Sequence, residues 1–471
     1  MLRPANLIAF QARIEPNKPA IVSGDSVVTY GMLEQGTRAA AHRIAGFGLP
    51  RGSIVALSIE APGRHLAVSL ALERCGLVGA AFASQTMYAA LPPAALVLTD
   101  KPFLMPDGKQ SVVVDDSWFG VMPPGGAALP EPGPEDDYRI FLSSGTTGVP
   151  KPIIYTQACA AERVVEITTA LEMIGAFNRV LQLFGVVAAG GYMGTLAALA
   201  HGKTVYFPTA GQDPLQLVQI YQCQFIQCAT QQLSGMVDRQ KQRYLPLHSL
   251  VGIATGGSIV PIELIRDAQS LVCGRIFLAY GSSELLNTAM ELVNVHDFEE
   301  GATGFICPWA EAEVVDSDRK LLPPGEVGEL RFRVQHQANF GGEPAPDGRG
   351  PWFYPGDVGA ITPARRLVVS GRVTDLININ GTKMSPERIE RFLLSCPGVT
   401  DAAVAGFRRA DGSEEIRGMI VGSADLEAVK AHVHAILPAA VPKTLLRVDS
   451  IERTPQGKIR RDSVKSLLET A

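Results

Sequence analysis

A chain of 471 residues is long enough for two or three compact domains. With 46% hydrophobic and 19% charged residues, its composition is globular rather than disordered. A net charge of −5, with no basic run longer than "GKIRR" near the end, argues against sequence-independent nucleic-acid binding, which rests on clustered lysine and arginine. Seven scattered cysteines without a CxxC pair fit reduced thiols and a cytoplasmic location better than a disulfide framework.

The opening "MLRPANLIAF" holds too short an apolar stretch for a signal peptide. Residues 34–48 predict a helix, 53–59 ("SIVALSI") a strand and 64–76 a second helix, an alternation that favours an α/β sheet covered by helices. Residues 122–137, "MPPGGAALPEPGPEDD", read as a connector, and 138–143 as a strand running into "SSGTTGVPK". From Arg179 to His201 no charge intervenes, a length that satisfies the spanning criterion. The stretch is alone, glycine-rich and followed at once by the strand-like "KTVYFP", so we read it as a buried strand and helix, with no membrane span. Strands are predicted to end in "GGS" (Gly256, Gly257, Ser258) and in "YGSSE" (Tyr280 to Glu284), and residues 341–351 form a further loop. After "VVSGRVTD" (368–375) the texture changes. Ser385 and Pro386 open an amphipathic helix, 399–407 reads as a strand, 425–437 as a helix and 443–451 as a strand, together a small α+β unit. The expected organisation is a large N-terminal domain of layered α/β subdomains over 1–371, a hinge at 372–375, and a small α+β C-terminal domain over 376–471.

The glycine loop is built for an anion. Ser143, Ser144, Thr146 and Thr147 offer hydroxyl donors, Gly145 and Gly148 let backbone N–H groups close around phosphate oxygens, and Lys151 adds a full charge. A Walker A loop would place the lysine directly after glycine at a helix start; here Lys151 sits between Pro150 and Pro152, which disfavour an immediate helix. The pattern therefore predicts a loop draped over phosphate, although a ligand-free Ser/Thr/Gly turn has the same composition. Further stations follow. Tyr280 can stack on a base, Ser283 can bond a phosphate, and Glu284 at a strand end can hold a hard cation. Asp357 after a glycine turn is a natural acceptor for ribose hydroxyls, and Lys458 stands on a turn in "RTPQGKIRRD". Each alone is equally a core tyrosine, a hairpin turn or a surface charge.

Taken in order, "SSGTTGVPK", "GGS", "YGSSE", "YPGD", "GRVTDLININGTKMSPERIE" and "RTPQGKIRR" resemble the adenylate-forming superfamily of acyl-CoA synthetases, adenylation domains and luciferases, over essentially the whole chain. The resemblance implies ATP-dependent activation of a carboxylic acid to an acyl-adenylate with loss of pyrophosphate, using Mg²⁺, and then transfer to a pantetheine thiol. It implies that the loop, with Thr147 among its catalytic residues, orients pyrophosphate; that Gly256, Gly257, Ser258, Tyr280 and Gly281 form the adenine site; that Ser283 meets the α-phosphate and Glu284 the metal; and that Asp357 and Arg372 bind ribose. It further implies that Lys458 bridges carboxylate and α-phosphate, that Gly381 leaves room for the thiol arm, and that the small domain is mobile between the half-reactions.

Three departures stand out. Thr374 occupies the hinge position usually held by Asp or Lys, Asn378 replaces a common lysine, and Gly185 stands where relatives place a histidine gate or, for amino-acid substrates, an aspartate. An amino-acid substrate is therefore disfavoured. An acyl pocket bordered by Phe184, Gly185, Gly190, Thr230 and Leu285 suits an uncharged acyl or aryl acid. CoA is the expected acceptor; the alternatives are loading of a separate acyl carrier protein, no carrier domain following Lys458, and a catalytically inactive nucleotide-binding regulator.

Overall fold

The computed structural model describes residues 3–101, 111–120, 131–143, 150–298, 301–340, 350–379, 382–408, 414–453 and 459–470. Two sheets carry the large domain. Among the described residues the smaller has six strands, in the order Val112–Val113, Leu96–Thr99, Ile54–Ser58, Val78–Ala81, Asp137–Ser143 and Lys151–Thr156, with every neighbour parallel except the last pair. The larger has thirteen among the described residues, one of them the edge strand Ser26–Thr29, antiparallel to Pro19–Ser23. Its parallel part runs Pro19–Ser23, Thr204–Phe207, Arg179–Gln182, Phe225–Ala229, Gly252–Gly256 and Ile276–Ser282. From there pairing turns antiparallel through Leu286–Leu292, Ala302–Ile306, Arg366–Arg372, Asp357–Ile361, Gly328–Val334 and Ala310–Val315. The parallel strands are covered on both faces, as their apolar sequences require, and their C-terminal ends lie together at the point where the sheet changes character.

Capping chemistry sets the helix limits. The first two predicted helices begin earlier than periodicity suggested, at Tyr30 and Pro62: Thr29 accepts from the Met32 N–H, and Pro62 takes the first turn of Pro62–Arg74. The uncharged stretch divides as expected into the strand Arg179–Gln182 and the helix Ala189–Ala200, whose Tyr192, Met193, Leu196 and Leu199 are fully buried between the two sheets. No helix among the described residues is long and apolar enough to cross a membrane.

The small domain folds around a three-stranded sheet of Val399–Arg408, Glu414–Gly422 and Thr444–Arg447. Helices Pro386–Leu394 and Leu426–Ile436 cover one face through Ile389, Leu393, Val429 and Val433; Arg461–Glu469 covers the other through Val464 and Leu468. The strand Glu414–Gly422 and the last helix were not anticipated. Where the chain leaves the large sheet, Gly371 packs so tightly that a Cβ would stand 2.3 Å from Ser385 Cβ, and the Ser385 hydroxyl donates to the Ser370 carbonyl. A short turn, Val373–Asp375, follows.

Candidate active site

The glycine loop joins two antiparallel strands. Ser143 and Lys151 are register partners, and the Lys151 N–H donates to Ser143 Oγ at 3.3 Å. The segment after the lysine is therefore a strand, as its prolines require, and the next helix starts only at Gln157 behind the Thr156 cap. The Lys151 side chain is exposed. Ser144, Gly145, Thr146, Thr147 and Gly148 lie outside the described residues, as do Gly381 and Lys458.

The other stations converge on the C-terminal ends of Gly252–Gly256 and Ile276–Ser282, which are adjacent and parallel. Glycine is compulsory here. A Cβ at Gly256 would meet the Ala279 carbonyl oxygen at 2.2 Å, one at Gly281 would meet that of Leu286 at 1.7 Å, and Gly257 has φ +91°. The backbone thereby stays open at the strand ends. Thr230 Oγ1 donates weakly, at 3.5 and 3.4 Å, towards the carbonyls of Gly256 and Ser258 and so closes the turn from beneath.

Three strands hold one carboxylate. Asp357 and Arg372 are paired opposite each other, with Arg372 Nε 3.2 Å from Asp357 Oδ1. The Tyr280 hydroxyl donates to Asp357 Oδ2 at 2.6 Å. Burial, then the Asp357 charge, pushes the Tyr280 hydroxyl well above its ordinary range, so it stays protonated and donating. Each Asp357 oxygen keeps a second lone pair, enough for a vicinal diol. Tyr280 was read as a base-stacking ring; its hydroxyl also fixes Asp357, which sequence alone did not show.

Glu284 stands in the connection after this strand, partly exposed, with no hydrogen bond or ion pair among the described residues. The peptide carbonyls on either side of it are held instead. Tyr155 donates its hydroxyl to the Ser283 carbonyl at 2.7 Å, and Arg163 Nη1 donates to the Leu285 carbonyl at 2.9 Å. Tyr155 and Arg163 both come from the segment that follows the glycine loop, so two hydrogen bonds join that segment to the Glu284 connection. Neither was a candidate from sequence. No cluster of three or more metal-ligating side chains exists among the described residues. A single free carboxylate fits Mg²⁺, which keeps waters and takes other ligands from phosphates, and does not fit an ion caged by protein alone. The Ser282 hydroxyl nearby is buried without a partner.

On the acyl side the five expected residues separate. Gly185 and Gly190 border open space, with no atom within 4 Å of an added Cβ, and Phe184 is partly buried beside them. Leu285 is 1% exposed and packs with Ala289, Ile306 and Leu330 in the core; the Thr230 hydroxyl is turned to the Gly256 loop. These two support the site's frame instead of facing open space.

In the small domain Arg453 pairs antiparallel with Ile459, the positions that flank the segment containing Lys458. Two residues on, Arg461 is a hub. Its guanidinium bonds Glu390, reaches Glu387 at 2.8 Å and Asp375 at 3.8 Å, and donates to the Val404 carbonyl at 3.2 Å. Burial pushes the Glu390 carboxyl up, against the pull of Arg461, while Glu390 also accepts the Val404 N–H at 2.9 Å. One arginine thus ties the start of the Arg461–Glu469 helix to the Pro386–Leu394 helix and to the Val373–Asp375 turn. Thr374 Oγ1 donates to Asp375 Oδ1 at 3.1 Å within that turn.

A family model described as AMP-binding enzyme matches residues 8–339, and one for the AMP-binding enzyme C-terminal domain matches 388–458. The chain is 26% identical to an indoleacetate–CoA ligase of Aromatoleum aromaticum, over 97% of this chain and 96% of that one. It is 25% identical to a 3-hydroxybenzoate–CoA ligase of an Aromatoleum species, over 96% and 94%. The fold is that of the o-succinylbenzoate coenzyme A synthetase of Bacillus subtilis, solved in complex with ATP and a magnesium ion, with a TM-score of 0.84 at 20% identity, covering 98% of this chain and 99% of that one.

Proposed function

The chain belongs to the AMP-binding enzyme family, and from that premise we propose that it is an AMP-forming acid–thiol ligase acting on an uncharged acyl or aryl acid. In the first half-reaction a substrate carboxylate oxygen attacks the α-phosphorus of ATP, the bond to the bridging oxygen breaks, and pyrophosphate leaves. In the second, a thiol sulfur attacks the acyl carbon and AMP leaves, the thiol proton passing to solvent. CoA is the acceptor named by both relatives above, and we favour it over a carrier protein.

One observation carries the reading: Asp357 is held by Tyr280 and Arg372 beside the glycine-opened strand ends and within the same sheet as the Glu284 connection. Asp357 accepts the ribose hydroxyls, with Arg372 beside it. Gly256, Gly257 and Ser258, with Tyr280 and Gly281, form the slot for adenine. Ser283 and Glu284 face the phosphates; Glu284 would hold Mg²⁺, which would supply charge neutralisation for pyrophosphate loss. Ser143 and Lys151, with Ser144 to Gly148, take the β- and γ-phosphates. Lys458 sits between the two repelling anions, carboxylate and phosphate, and Gly381 lines the thiol's approach after the small domain turns about residues 372–375. The absence of a carboxylate at Gly185 argues against an α-amino acid. Seven unpaired cysteines suit a cytoplasmic setting.

The test is ATP–pyrophosphate exchange over a panel of fatty, aryl and amino acids without thiol. Exchange with an uncharged fatty or aryl acid, abolished in Lys458→Ala while ATP still binds, is the expected result. Selective activation of an amino acid overturns the substrate class, and ATP binding without exchange for any acid supports the regulator.

A further inference from the structure

The helix Ala189–Ala200 rests on an amide pair to which the reaction above gives no role. Gln182 ends the strand Arg179–Gln182, and Gln227 stands opposite it in register on Phe225–Ala229. The Phe184 N–H donates to Gln182 Oε1 at 3.0 Å. A backbone N–H can only donate, so that end of Gln182 is its carbonyl. Its other end, Nε2, donates to Gln227 Oε1 at 2.5 Å. Both amides are thereby oriented, and the Gln227 NH₂ is left with two N–H groups and no acceptor among the described residues. Gln182 is 1% exposed, but Gln227 is partly exposed, and its Nε2 is not among the sealed unpaired atoms. This donor faces accessible space.

The surrounding glycines show which space. A Cβ at Gly194 would stand 2.8 Å from Gln227 Oε1 and 3.3 Å from Gln182 Nε2, so the helix can lie on the pair only with glycine there. Gly190, one helical turn back on the same face, has nothing within 4 Å, and neither has Gly185. That turn is the helix N-terminus, on the side of the strand ends where Gly256 and Gly281 keep the backbone open. Gln227 stands two residues before Ala229, the register partner of Gly256, so the amide lies behind the strand ends and beneath the open space at Gly190. Ala254, the register partner of Gln227 on the next strand, leads from the amide to the strand end at Gly256.

We propose that Gln227 is a specificity-determining residue, and that the substrate is a carboxylic acid whose end remote from the carboxylate carries an acceptor oxygen (a carbonyl, ether or hydroxyl oxygen) that receives the Gln227 N–H. The inference rests on the adenylating reading of this site and deepens it. An apolar acid in the slot would strip water from the donor and return nothing, a loss of about ten- to a hundredfold in kcat/KM.

Pyrophosphate exchange tests this with near-isosteric pairs: methoxybenzoates against ethylbenzoates at each ring position, and oxoalkanoates against alkanoates of equal length. The expected result is a preference of about tenfold or more for the oxygenated member of at least one pair. Gln227→Met, close in shape but without a donor, should bring that ratio to about one with the KM for ATP unchanged. Gln227→Glu keeps an oxygen for Gln182 Nε2 and puts an acceptor where the donor was, so it should also erase the preference if the Met variant does not fold. Exchange with both members of every pair at equal efficiency, or a preference that survives both substitutions, overturns the assignment of Gln227 and leaves adenylation standing. ATP binding with no exchange for any acid overturns adenylation, and this inference with it.

Discussion

The two walls of the site are made in opposite ways. On the side proposed for the nucleotide the frame is held at several points: Asp357 by Tyr280 and Arg372, the carbonyls flanking Glu284 by Tyr155 and Arg163, and the strand ends by glycines whose Cβ positions are taken by backbone. On the side proposed for the acid Gly185 and Gly190 touch nothing where a side chain would begin, and the Gln227 NH₂ has no acceptor among the described residues. A wall that, on the proposed reading, recognises the same ribose and phosphates in every turnover is defined by constraint. A wall that admits one acid among many is defined by the room left in it. Substitutions should follow that division: changes on the first wall strike ATP use as a whole, and changes on the second redistribute preference among acids.

Asp357→Ala is the strongest way to break the contrast. It removes the proposed ribose acceptor and at once leaves the Tyr280 hydroxyl and the Arg372 guanidinium without their shared partner. Exchange activity should fall by roughly 10²–10³ for every acid alike, comparable to loss of a preorganised catalytic group. Tyr280→Phe, which keeps the ring and loses one hydrogen bond, should fall far less, by about tenfold. Measuring kcat/KM for ATP with two unrelated acids decides the matter: a loss confined to one acid would mean that the carboxylate serves the acyl side.

The constrained wall was also the more legible one in the sequence. The chemistry proposed for it demands one residue type at one place, a glycine where the backbone must stay open or a carboxylate beside a strand end, and its candidates Gly256, Gly281, Glu284, Asp357 and Arg372 all stand within short motifs. The residues that support them did not. Tyr155 acts on Ser283 from 128 positions away, Arg163 on Leu285 from 122, and Arg461 on Glu390 from 71; a side chain that works through a distant carbonyl or a buried ion pair leaves no local spacing to read. The same limit hid two elements of the small domain. The strand Glu414–Gly422 begins with two charges and carries Gly418, and the helix Arg461–Glu469 opens after Arg460 without a side-chain cap. Leu285 and Thr230 show the converse: both were expected to border the acyl pocket, and Leu285 packs in the core while the Thr230 hydroxyl turns to the Gly256 loop.

A second, smaller effect sharpens the comparison from the other side. Gly190→Leu places a side chain in the empty slot without meeting a neighbour at its Cβ. The fold should tolerate it, since the first turn of the helix gains a better helix former. The KM for a ring-bearing acid should rise by about tenfold, the scale on which one or two misplaced methylenes act, while the KM for ATP stays within a factor of about two. A variant whose KM for ATP rises in parallel would show that the two walls are not separable.

The smallest effect concerns the support of the constrained wall and is read in stability. Glu166 lies 2.8 Å from Arg163, the residue that holds the Leu285 carbonyl, and both are buried. Burial outweighs the attraction of Arg163 and pushes the Glu166 carboxyl up to about 8 from an ordinary 4.5. The folded chain therefore keeps this proton where the unfolded chain has lost it. The contribution is complete below about 4.5, where both states are protonated, and it is lost as pH rises through the folded value near 8. Between those limits Glu166 should add a downward slope to unfolding free energy of at most about 1.4 kcal/mol per pH unit, the value for one proton. Glu166→Gln stays neutral throughout and should remove that slope, leaving exchange activity nearly unchanged because the Arg163 bond to the Leu285 carbonyl does not depend on the carboxylate. Urea midpoints of both proteins at pH 5, 6, 7 and 8 give the answer. Parallel curves would mean that Glu166 is ionised in the folded chain across the whole range and that Arg163 is held as one half of a charged pair.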